Sequence, residues 1–259
     1  MGTKAEIIQS SGLGSHDNTF IAEQTIHQGL SIADATAMAI EMFRQFFPQL
    51  KKEAQEALRE MLNDELAKRA PEQVIPPSAR VAVPTLQGAS VSEEDNVRKL
   101  YANLLASAMD NSTAKYAHPA FARIIDQMDY FDALMLKRIA EIGDNIPIAT
   151  IKITNGLRYY PQAMPRFYGM AFDSLNNNWA VSFSIENLAR LQLINIFDGT
   201  VKDFDYTQFY TCAFALKRYT CFQDNHPDEE LKMDVSEHAI QVTDFGRQFI
   251  KLCISLEGD

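Results

Sequence analysis

One run of apolar side chains at helical spacing sets the main limit on what this chain folds into. Val97, Leu100, Tyr101, Leu104, Leu105 and Ala108 fall at i, i+3, i+4, i+7, i+8 and i+11, a single stripe on a 3.6-residue period. Such a stripe must be covered by other helices, so residues 84–143 predict a helical core unit. Ser92 is expected to cap this helix, with Glu93, Glu94 and Asp95 favouring the positive end of its dipole. After the polar turn Asp110-Asn111-Ser112-Thr113, His118-Pro119 restarts the chain, and Pro119 suits a first helical position. Phe121, Ile124, Ile125 and Met128 form the next stripe. Asp129 reads as the cap of a third helix that buries Phe131, Leu134, Met135, the Arg138 stem and Ile142, with Gly143 as its stop.

Around this unit the pattern changes twice. Residues 1–20 mix polarity with Gly12 and Gly14 and predict a flexible start. Residues 21–70 carry two amphipathic helices. The first has Ala35, Met38, Ala39, Met42, Phe43 and Phe46 on one face, and Pro48 either kinks the chain or begins a new helix. The second has Ala54, Ala57, Leu58, Met61, Leu62 and Leu66. Its acids (Glu53, Glu56, Glu60, Asp64, Glu65) balance the basic residues, which argues against a helix lying on a membrane. Residues 71–84 contain Pro71, Pro76, Pro77 and Pro84. They exclude a helix and predict an extended linker, with Val81 and Val83 suited to an edge strand.

Beyond Gly143 the chain gains strand signals. Residues 146–153 alternate weakly and suit a strand or a helix entry. An aromatic loop follows, with Tyr159, Tyr160, Phe167 and Tyr168 as candidate interface anchors. Ser184 is expected to cap a helix through Ile185, Leu188, Ala189 and Leu191, which runs into a strand at 193–197 and the turn signal Asp198-Gly199. Phe209, Tyr210, Ala213, Phe214 and Leu216 suggest another helix, ending near Cys221. Residues 224–230 read as a solvated acidic insertion, residues 238–242 as a strand, and Thr243 as the cap of a last helix on Phe245, Phe249, Leu252 and Cys253. Helix, strand, turn, returning strand and helix make the tail of a winged helix-turn-helix. The fold class is therefore mainly α with a small β component: a helical N-terminal and central region, then a winged-helix-like α+β module over residues 144–259.

For function, a net charge of −10 works against a broad phosphate-binding surface. Nucleic-acid contact is left to Arg190, Lys202, Lys217 and Arg218. No apolar run approaches the ~20 residues that span a bilayer, and the start lacks a signal-peptide core, so a cytoplasmic protein is expected. Cys212, Cys221 and Cys253 are too few and too spread for a disulfide framework. Asp126, Asp129 and Asp132 share a helix face and raise a metal-dependent nuclease, yet each also reads as a solvated, capping or first-turn carboxylate. Cys212, Cys221, His226 and His238 match no zinc spacing. No phosphate loop or nucleophile elbow occurs, so no catalytic residue, metal or cofactor is assigned. His118, just before Pro119, suits a helix cap or an anion contact.

Four phrases in order, VAVPTLQGASVSEEDNVRKLYANLLASAMD, AHPAFARIIDQMDYFDALMLKRIAEI, NLARLQLI and VTDFGRQFIKLC, are similar to the abortive-infection alpha family of bacterial phage-defence proteins. The chain departs from that wording at Gln192, where a glycine is expected, which loosens the turn that follows. The resemblance implies a role in limiting phage propagation and supplies no reaction. The reading is a non-enzymatic antiphage protein acting through protein–protein interaction, with a phage or host protein or a second copy as partner. A winged-helix nucleic-acid binder and a metal-dependent nuclease are the alternatives.

Overall fold

The computed structural model describes residues 31–46 and 52–254. The expected flexible start at residues 1–20 lies outside these, as do Pro48 and the side chains of Met42, Phe43, Phe46 and Ala54. Helices α1 (Ile32–Phe46) and α2 (Lys52–Ala67) pack together and bury Ala35, Ala39, Leu58, Leu62 and Leu66. Met38, expected on the same face, is exposed instead. Thr36 Oγ1 donates to Asn63 Oδ1 at 2.7 Å across the pair.

The proline-rich stretch is not an extended linker. Pro71–Gln73 form a 3₁₀ turn, Val74 bridges to Asp110, and Ala79–Val91 form α3 with Pro84 inside it. A proline within a helix costs about 3 kcal/mol through its lost N–H and its clash with the preceding turn. Here α3 buries Val81, Ala82, Leu86 and Ala89, each such side chain being worth up to about 1.5–3 kcal/mol for the larger ones. Burial outweighs the proline. Ser92 belongs to the end of α3, its N–H donating to Gly88 O at 3.1 Å, and α4 (Asp95–Ala108) begins after Glu94.

The founding stripe of α4 is buried along its whole length, and α3, α2 and α10 (Asp244–Cys253) all pack on it. In α5 (Ala120–Ile125), Phe121, Ile124 and Ile125 turn inward. Asp129 caps α6 (Tyr130–Ile142) through a reciprocal box with Asp132. That box turns Asp132 into the core, where Asn187 Nδ2 donates to it at 2.6 Å. The inward side of α6 is therefore Ala133, Met135, Leu136 and Ile139, rotated from the expected one, and Ile142 is left exposed.

Strands β1 (Ile146–Thr154), β2 (Ile194–Asp198) and β3 (Lys232–Val242) form an antiparallel sheet in the order β1-β3-β2. The expected cap of the next helix fails. Ser184 is an interior, buried residue of α7 (Asn178–Arg190), which is capped by Asn177 accepting the Ala180 N–H at 3.1 Å. As the sequence indicated, a helical segment separates the Asp198-Gly199 turn from the returning strand, and residues 199–231 hold α8 (Gln208–Thr211) and α9 (Ala213–Asp224). Glu229, expected in a solvated loop, accepts hydrogen bonds from Tyr160 and Asn155 and pins that loop to the aromatic segment.

Alternation gives the sheet two different faces. Ala149, Ile151 and Ile153 pack with Tyr160, Tyr168, Phe209 and Ala215 under α8 and α9. On the other face Ile146, Ile148 and Ile240 join the helical core with α7 and α10. Tyr168 exchanges both backbone hydrogen bonds with Ala149, at 2.8 and 2.9 Å, so the aromatic loop lines the β1 edge. Among the described residues no helix is long and apolar enough to cross a membrane.

Gln192, at the place where glycine was expected, has a φ of 61°. The turn from α7 into β2 is thus intact but held in the left-handed region by a residue with a Cβ. Replacing Gln192 with glycine is expected to raise Tm by about 2 °C in a thermal melt, net of the lost Nε2 bond to Ala189 O at 3.2 Å.

Candidate functional site

The second face of the sheet is apolar at one end and polar at the other. Cross-strand register sets Thr150 opposite Ser236, Ile148 opposite His238, and Asp198 opposite His238 from the other side. Helix α7 covers the apolar end. Its outward residues Trp179, Phe183, Glu186 and Arg190 recur at i, i+4, i+7 and i+11, and they form a wall beside the polar end. The aromatic loop makes the opposite wall with Tyr159, Pro161, Pro165 and Arg166. Between them lies an open groove of about 1060 Å³ floored by Thr150, Lys152, Asp198, Ser236 and His238.

The rim is aromatic and exposed: Tyr159 is 57% accessible, Trp179 48% and Phe183 67%. Three of the aromatic residues singled out as anchors are core instead. Tyr160, Phe167 and Tyr168 are buried, because the loop folds its rings inward against β1, α7 and α9. Phe167 is tied to α7 by its N–H donating to Ser182 Oγ at 3.0 Å, and its ring stands edge-on to His238. Tyr159 alone of the four is free at the surface.

On the floor His238 Nε2 lies 3.1 Å from Thr150 Oγ1, and His238 Nδ1 lies 2.8 Å from Asp198 Oδ1. Hydroxyl, imidazole and carboxylate stand in the order of a nucleophilic triad. Two features argue against that chemistry. The Nδ1 contact is close but not aligned as a hydrogen bond, and the Asp198 side chain is fully solvated, so water screens its hold on an imidazolium. The arrangement suits hydrogen bonding to a bound group.

The cations expected on a nucleic-acid face do not converge. Arg190 lies on the groove wall, bonded to Asn187 and Gln127. Arg218 is spent internally, with Nε and an Nη both donating to Ala163 O, while Lys202 and Lys217 are exposed away from the groove. His118 caps α5, its Nδ1 accepting the Ala120 N–H at 3.1 Å, and packs on Phe121 and Phe245.

The acidic set is dispersed into structural tasks: Asp126 accepts the Tyr101 hydroxyl, while Asp129 and Asp132 share the cap of α6. Burial pushes the Asp132 carboxyl above its ordinary range. Cys212, Cys221 and Cys253 are free thiols, His226 stacks on Phe222, and no group of three metal-ligating side chains occurs among the described residues. Trp179, Phe183, Lys152 and Arg166 were not anticipated as site residues. The spacing of the first two with Glu186 and Arg190 was visible, but placing the cap at Ser184 had removed them from the helix.

Fold and site together define a mainly helical protein with a small antiparallel sheet and an aromatic-rimmed groove on its polar end. The family model for abortive infection alpha matches residues 50–253 of the 259, and the protein belongs to that family. No curated protein and no solved structure matches it. Membership points to phage defence by abortive infection.

Proposed function

We propose that the protein acts in the cytoplasm as a non-enzymatic abortive-infection factor that works by protein–protein interaction, with the groove rim as its contact surface. One observation carries this reading: three large aromatic side chains, Tyr159, Trp179 and Phe183, stand exposed around one concavity. Rings of this kind, flanked by arginine, dominate binding energy where proteins meet. A phage or host protein fits better than a second copy, since two chains of net charge −10 repel one another.

The sheet order β1-β3-β2 with α6, α7 and α10 around it supports a winged-helix-like arrangement, with α8 and α9 standing where a wing would be. Its use on nucleic acid is weakly supported, because Arg190, Lys202, Lys217 and Arg218 make no continuous basic face.

The double variant Trp179→Ala/Phe183→Ala tests the proposal, since both side chains are exposed enough to be removed without unfolding the chain. Efficiency of plating of a restricted phage is expected to return to the level of unprotected cells, with Tm shifted by only a few degrees. Full restriction by a folded double variant would overturn the proposal.

A further inference from the structure

The rim accounts for only part of the groove. Beneath it lies a polar interior, and its charges differ from those of the chain as a whole. Arg166 is paired with Glu186 at 3.1 Å, and His238 stands 2.8 Å from Asp198. Lys152 and Arg190 make no ion pair among the described residues; Lys152 Nζ lies over the Tyr159 ring at 5.9 Å, and Arg190 bonds only neutral amides. Lys152, Arg166 and Arg190 against Glu186 and Asp198 leave the concavity with one net positive charge (three cations less two anions, histidine neutral) in a protein whose net charge is −10. Cations held this way favour an anionic ligand.

The remaining lining narrows the ligand class. Trp179, Phe183 and Tyr159 offer flat faces on which a planar ring stacks. Thr150, Ser236 and His238 offer hydroxyl and imidazole groups that donate to or accept from a base edge or a sugar. The volume of about 1060 Å³ lies just above the range for small-ligand clefts, about 300–1,000 Å³. A nucleic-acid strand would need a track of cations leading away from the groove, and Lys202 and Lys217 do not continue one. An acidic peptide would use the cations but not the combination of ring faces and polar floor.

We propose that the interior of this groove is a binding site for a nucleoside phosphate, its base stacked on the α7 aromatic wall and its phosphates met by Lys152 and Arg190. This rests on the groove being the recognition site proposed above.

Trp179 is the single tryptophan of the chain, so its fluorescence reports the groove directly. The full-length protein is titrated with ATP, GTP, CTP, UTP, adenosine, inorganic triphosphate, an oligo(dT) strand and a polyglutamate peptide. Free N-acetyltryptophanamide serves as the control for absorption and collisional quenching. A saturable change is expected with at least one nucleoside triphosphate, a weaker one with its nucleoside, and none with inorganic triphosphate. Lys152→Gln is expected to weaken the triphosphate about tenfold and leave the nucleoside unchanged, as loss of one charge-assisted hydrogen bond implies. Phe183→Ala is expected to weaken both.

Unsaturable quenching equal to that of the free amide overturns the proposal, as does equal affinity for inorganic triphosphate. Tighter binding of oligo(dT) or polyglutamate than of any nucleotide overturns it too, and assigns the groove to a strand or an acidic segment. If no nucleotide binds but phage restriction is still lost in Trp179→Ala/Phe183→Ala, only this inference fails. If nucleotide binds and that variant still restricts, the protein-contact reading fails instead.

Discussion

Gly246→Ala is expected to destabilise the protein by about 3 kcal/mol or more, seen as a fall in Tm of roughly 10 °C. In an exposed helix interior the same change would stabilise by about 0.5–1 kcal/mol, because alanine is the better helix former. The sign reverses here because α10 lies directly on the backbone that enters β2. A Cβ at 246 would overlap the Leu193 carbonyl oxygen and stand 2.8 Å from its carbonyl carbon and 3.1 Å from its Cα. Backbone cannot swing aside as a flexible side chain can. The same junction is drawn tight by Thr243, whose N–H donates to Leu193 O at 3.1 Å and whose Oγ1 donates to Gln192 O at 2.7 Å and accepts the Gly246 N–H at 2.8 Å. Gly143→Ala is the strain-only comparison. It has a φ of +95° and a ψ of −152°, a region nearly confined to glycine, but nothing within 4 Å, so its cost is backbone strain alone, about 1–3 kcal/mol. A Gly246→Ala melt within about 2 °C of the wild type would refute the close-approach account.

Asp110→Ala is expected to cost about 3–5 kcal/mol, because it leaves the largely buried Arg69 without its partner. Asp110 also accepts from the Ser112 N–H at 2.8 Å and from Ser112 Oγ at 2.6 Å. Ile75 N–H to Met109 O at 2.8 Å, and Asn111 N–H to Gln73 O at 2.9 Å, complete the tie between the end of α4 and the segment leaving α2. Burial alone would raise the Asp110 carboxyl, but hydrogen bonds from Ser112 and Arg69 outweigh it and hold it below the ordinary carboxylate range. A depressed native pKa means the unfolded chain binds the proton first. The stabilisation is therefore complete above the ordinary carboxylate pKa and disappears as pH falls through the native value. Urea midpoints measured down the acid range should fall for the wild type, and Asp110→Asn should flatten that part of the decline. An unchanged acid limb in Asp110→Asn would place the acid sensitivity elsewhere.

The helical frame was legible because it follows from spacing and short-range chemistry. The α4 stripe, the Asp129 cap, the Gly143 stop and the Thr243 cap all act within a turn or two of the chain, and each stands where its residues indicated. The failures share a different cause. Pro84 sits in a helix because burial of α3 exceeds a local penalty, and Ser184 is interior because α7 begins at Asn178, after its Asn177 cap. In the site, ring count suggested anchors, but packing decided that Tyr160, Phe167 and Tyr168 point inward while Trp179 and Phe183 remain outside. Exposure depends on what else is packed nearby, which no single stretch of sequence states.

By itself the sequence determined the helical class, the Asp129 and Thr243 caps, the Gly143 stop, the family, and the presence of two phrases, NLARLQLI and VTDFGRQFIKLC, with the wording of a shared motif. Only the tertiary structure decided that these phrases are two sides of one contact, where Gly246 admits the Leu193 carbonyl and Gln192 takes the left-handed turn. It also decided that three strands far apart in the chain leave half of one sheet face uncovered, and so form a groove. Local signals set local conformation, whereas a close approach and an open concavity depend on which distant surfaces meet and which are left without cover.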